Sequence, residues 1–75
     1  MTTQELLIGE INMVSDYVEM LAWRRAHGEV SELYVDLRDV SETITCLRND
    51  APGFLQPDLA MLEARCSSIL RSIAN

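Results

Sequence analysis

The segment Trp23-Arg24-Arg25-Ala26-His27-Gly28-Glu29 concentrates the side chains most able to do chemistry. It holds the single tryptophan, the single histidine and the one adjacent pair of arginines in a 75-residue chain of net charge −6. An imidazole is a general base or a metal ligand. An indole beside guanidiniums is the composition of a protein-binding hot spot. Nucleophilic catalysis needs more: a nucleophile, a base and an orienting group around a formed cleft. With one histidine, no G-x-S-x-G and no glycine-rich phosphate loop, the sequence offers no catalytic residues.

Metal ligation would have to recruit His27, Cys46, Cys66 and a carboxylate. None of these stands at the C-x₂-C or H-x₃-H spacing that sets two ligands on one side of a turn. No metal site and no cofactor are expected. Cys66 falls inside an apolar stripe, where a thiol is a small buried hydrophobe. Cys46 falls nearer the polar side of its helix and is expected to be exposed.

All six basic residues apart from His27 are arginines, against twelve acidic residues. Nucleic-acid phosphates demand clustered positive charge, so direct nucleic-acid binding is disfavoured. Anionic membranes are disfavoured for the same reason. The apolar runs are too short for a membrane span. The start, MTTQELLIGE, lacks the basic and apolar regions of a signal peptide. The expectation is a cytoplasmic protein with reduced thiols.

These residues must be positioned by helices, because the apolar periodicity is helical throughout. Thr2 and Glu5 have capping-box spacing. Leu7, Ile11, Val14, Val18 and Leu21 then recur at alternating steps of four and three, a coiled-coil-like seam. Leu6, Met13, Tyr17 and Met20 widen that seam on one flank to an arc of roughly 180–200°. So wide an arc predicts more than one packing neighbour for helix one. Gly9 costs helix propensity, which either a close helix crossing or mere tolerance explains. Arg24, Arg25 and His27 suit the negative end of the helix dipole, and Gly28 supplies a left-handed terminator.

The second stripe, Val30, Leu33, Leu37, Val40, Ile44 and Leu47, is narrow, with Ser31 as the expected N-cap. Glu32, Asp36 and Asp39 share one flank. Pro52-Gly53 predicts a turn with glycine at positive φ, with Phe54 and Leu55 either closing the bottom of the core or standing out as an exposed apolar anchor. Pro57 opens the third helix, followed by the seam Leu59, Leu62, Cys66, Ile69 and Ile73 with Leu70 alongside.

The predicted fold is one all-α domain over 1–75: helix one over about 3–27, helix two over 31–49, a turn over 50–56 and helix three over 57–74. It is an antiparallel helical hairpin with a shorter third helix, closed as a three-helix bundle or as an intertwined helical dimer. In size and layout it resembles the small acidic helical hairpins found among secretion co-chaperones, bacterial regulators and phage-encoded inhibitors, with no motif that assigns it to one family.

The expected function is non-enzymatic protein–protein interaction, in which the chain inhibits, sequesters or chaperones a partner. The expected surface is Leu6, Met13, Tyr17 and Met20 with Trp23, Arg24 and Arg25 at its end. Self-association as a homodimer or other helical oligomer would use the same wide face. One alternative is an acidic mimic of nucleic acid acting through Glu32, Asp36 and Asp39. Another is a structural subunit of a helical assembly.

Overall fold

The computed structural model describes residues 2–74 as three helices joined by short connections: α1 (Thr3–Ala26), α2 (Leu33–Asp50), a single 3₁₀ turn (Gly53–Leu55) and α3 (Gln56–Ala74). All three helices pack on one another within the one chain. The body is a rod of 39 × 19 × 16 Å. The polar links fix the directions. Arg24 and Arg25, at the end of α1, reach the start of α2 and the end of α3 respectively. Helix α2 therefore runs antiparallel to both neighbours, as short connections require. The third helix spans 19 residues against 18 for α2, so it is no shorter than its partner in the hairpin.

The core is made by the three stripes. Ile11, Val14, Val18 and Leu21 of α1 meet Leu33, Leu37, Val40, Ile44 and Leu47 of α2 and Leu59, Leu62 and Cys66 of α3. Leu7, Ile69, Leu70 and Ile73 pack at its ends. Two residues assigned to this core lie outside it. Val30 is 48% exposed, because α2 starts three residues later and the left-handed Glu32 breaks the helical register before it. Phe54 is 59% exposed, while its neighbour Leu55 alone turns inward to close the bottom of the bundle.

The helix ends depart from expectation in instructive ways. Thr2 Oγ1 accepts from Glu5 N at 3.2 Å, the N-terminal half of the expected capping box. At the far end Gly28 N donates to Arg25 O and Glu29 N to Arg24 O, with Gly28 at φ 77. That pair of bonds is a Schellman cap, and glycine is what makes its left-handed residue cheap. Ser31 does not cap α2. The N-cap is Glu32 at φ 62, without a side-chain cap bond. Its carbonyl still accepts from Asp36 N at 3.1 Å and starts the helix. Gly53 is not at positive φ; among the described glycines only Gly28 is. Instead Leu55 N bonds Pro52 O at 3.0 Å, and a 3₁₀ turn leads directly into α3. Pro57 lies in the first turn of α3, where its missing N–H has no intrahelical acceptor to lose.

Gly9 marks no close crossing: a Cβ built there meets no atom within 4 Å.

Candidate interaction groove between helices one and two

Two sets of polar side chains close the ends of the bundle. At the top, Arg24 Nη1 donates to Asp36 Oδ2 at 2.8 Å and its Nη2 to Ser31 O at 3.0 Å. The hydrogen bond to the Asp36 carboxylate holds the Arg24 guanidinium above its ordinary pKa. Arg25 donates to Ser72 Oγ and to the Ser72 carbonyl, which satisfies an orphan acceptor at the end of α3. At the bottom, Gln56 Nε2 donates to the carbonyls of Arg48 and Ala51, capping α2, while Arg48 pairs with Glu63 at 2.8 Å. Arg65 pairs with Glu19 across α1 and α3.

Arg24 and Arg25, expected to assist Trp23 at a binding surface, are thus both engaged inside the chain. Trp23 itself is 56% exposed. Neither α3 nor the turn covers it, and the His27 ring stacks on it with centroids 3.9 Å apart. His27 Nδ1 lies 2.8 Å from the Trp23 carbonyl oxygen. The imidazole is therefore occupied by its own helix terminus. Cys46 is a free exposed thiol and Cys66 a free buried one. Burial pushes the Cys66 thiol above its ordinary pKa, which keeps it protonated and inert. Among the described residues no three histidine, cysteine, aspartate or glutamate side chains converge as metal ligands would.

The remaining candidates form a surface. Leu6, Met13 and Tyr17 lie on the flank of α1 that faces α2, and all three are exposed, Met13 most of all at 72%; Met20 is exposed too but lines no part of that seam. Helix α3 packs against the opposite flank, so none of the described residues fills this side. An open depression of about 380 Å³ runs along the seam, lined by Met13 and Tyr17 of α1 and by Asp39, Val40 and Thr43 of α2. A second, of about 600 Å³, continues it towards the lower end, lined by Glu10, Asp39, Glu42, Cys46 and Asp50. The groove has an apolar wall on α1 and an acidic wall on α2.

Trp23 does not extend this wall. Six residues beyond Tyr17, it is turned by about 120° around the α1 axis and looks outward. The expected acidic row also separates. Glu32 precedes α2 in a left-handed turn, Asp36 is neutralised by Arg24, and Asp39 alone faces the groove. The carboxylates that do line it beside Asp39, namely Glu10, Glu42 and Asp50, were not grouped by sequence reasoning. Their only signal is wheel position, which has meaning once the flank of α2 that meets α1 is known.

No helix among the described residues is long and apolar enough to cross a membrane. Comparison with protein-family models, curated proteins and solved structures finds no match for the chain.

Proposed function

We propose that the protein is a non-enzymatic interaction module that receives an amphipathic helix of a partner protein in the groove between α1 and α2. The observation that carries this reading is the set Leu6, Met13 and Tyr17 of α1, left exposed beside an open groove. Helix-in-groove binding uses apolar anchors of this kind, and unbranched methionines adapt to a partner's contour at little cost. A partner would supply the fourth helix of a bundle in which this chain supplies three. A partner also fits better than a second copy. A second copy would bring the same carboxylates, Glu10, Asp39, Glu42 and Asp50, against themselves, and like charges in an interface are costly. The nucleic-acid-mimic reading has less support, because Asp36 in its row is already paired with Arg24. The exposed free thiol of Cys46 fits action in a reducing compartment such as the cytoplasm.

Selection of a displayed helical-peptide library on the immobilised protein, followed by amide chemical-shift mapping, tests the reading. Selected peptides are expected to perturb Met13, Tyr17 and Thr43, and Met13→Glu is expected to abolish binding with the melting temperature unchanged. Failure to select any binder, or shifts confined to the outer face around Trp23, would overturn it. So would a Met13→Glu variant that merely converts a dimer into monomers, since the groove would then be filled by a second copy.

A further inference from the structure

Resting on the groove reading above, we infer that the partner helix carries a basic flank: the groove selects a cationic amphipathic helix over a neutral or acidic one with the same apolar stripe. The two walls differ in chemistry. Helix α1 contributes Leu6, Met13 and Tyr17, and helix α2 contributes Asp39, Glu42 and Asp50, with Glu10 of α1 facing Asp50 at the lower end. Among the described residues none of these four carboxylates is in an ion pair, whereas Glu19, Asp36 and Glu63 each hold an arginine.

No arginine lines the groove. Arg25, Arg48, Arg65 and Arg71 bond to groups elsewhere on the bundle. Arg24 sits at its upper end and is neutralised by Asp36. Arg38 lines neither depression, although it stands one helical turn before Glu42 on α2. Away from Arg38, at Asp39, Asp50 and Glu10, the wall is therefore a field of one sign, concentrated beside an apolar surface that excludes water once a helix is seated.

The spacing defines the complement. Asp39 and Asp50 lie about three helical turns, roughly 16 Å, apart along α2, with Glu42 between them. A helix lying along the seam meets them with arginine or lysine side chains spaced over about three turns on one flank. Its apolar stripe rests on Met13 and Tyr17. A helix with acidic residues on that flank meets repulsion along the whole wall.

Two synthetic helical peptides with one apolar stripe, the first with lysine and arginine on the flank and the second with glutamate, test this by fluorescence anisotropy. The basic peptide is expected to bind at least about tenfold more tightly at low salt, and the gap to close as salt is raised. The double variant D39N/D50N, which alters two exposed side chains, is expected to weaken the basic peptide several-fold and to strengthen the acidic one, since two repelling charges are gone. Met13→Ser is expected to weaken both. Equal binding of the two peptides would refute charge selection while leaving the groove reading intact. Basic-peptide binding that survives Met13→Ser would show diffuse attraction to an acidic chain and overturn the inference. Failure of both peptides, where library-selected helices do bind, would overturn it as well.

Discussion

Arg24 and Asp36 are held to each other at 2.8 Å across the α1–α2 connection, and the same guanidinium reaches the Ser31 carbonyl. One side chain therefore ties the end of α1 to both the loop and the first turn of α2. It fixes the start of α2, where Glu32 makes no side-chain cap bond, although a donor cannot itself cap the free N–H groups there. The two residues look like elements of opposite binding surfaces in the sequence, yet in the fold they cancel.

Replacement of Arg24 should consequently cost more than replacement of its partner. Arg24→Ala removes the ion pair and the bond to Ser31 O, whereas Asp36→Asn removes charge but leaves Arg24 its carbonyl acceptor. Urea unfolding is expected to rank the midpoints as wild type, then Asp36→Asn, then Arg24→Ala. The gap between wild type and Asp36→Asn should shrink in high salt, because both side chains are partly exposed. The reverse ranking would mean that the Ser31 bond contributes nothing.

The two helix-one glycines should respond to alanine in opposite senses. At Gly9 an added Cβ meets nothing, so Gly9→Ala should stabilise by up to about 1 kcal/mol through helix propensity. At Gly28 the backbone sits at φ 77, and Gly28→Ala should destabilise by about 1–2 kcal/mol. Thermal melts resolve both, since a chain of this size moves by about 4–8 °C per kcal/mol.

Leu21 and Trp23 are two residues apart on α1 but live in different solvents. Leu21 is fully buried, and Leu21→Ala should cost about 2–5 kcal/mol, enough to unfold a small domain in large part. Trp23→Ala removes an exposed ring and its stack on His27, and should cost about 1 kcal/mol or less. Circular dichroism at rising urea compares them. Tryptophan emission of the native protein should already be that of a water-exposed indole and should shift little on unfolding.

The cysteines should separate by reactivity. Iodoacetamide is expected to label Cys46 in the native state and Cys66 only on unfolding, as peptide mass spectrometry would show. Because burial raises the Cys66 thiol, folding favours the protonated form. That contribution is intact below the ordinary thiol pKa of about 8.5. It is lost as pH rises through the raised value, so stability should fall on the alkaline side. Cys66→Ala should flatten that alkaline slope.

Much of this molecule is legible along the chain. The seams Leu7–Leu21, Leu33–Leu47 and Leu59–Ile73 each state a helix and its buried face, because both follow from spacing along a single helix. The Gly28 terminator and the buried thiol of Cys66 follow in the same way. Local rules failed where two stretches of chain compete for the same groups. Ser31 yields to Glu32 because the connection turns left-handed at Glu32 and the helix starts one residue later than the cap rule places it. Phe54 is left outside because Leu55 takes the space beneath the core.

The groove belongs wholly to this second category. A wheel shows that Met13 and Tyr17 share a flank, and that Asp39, Thr43 and Asp50 share another. Which flanks meet depends on the side of the hairpin that α3 occupies, and a pattern within one helix carries no information about that choice. Packing α3 against the far flank of α1 covers one side of the seam and leaves the other open. That long-range arrangement turns a broad apolar stripe and scattered carboxylates into one surface.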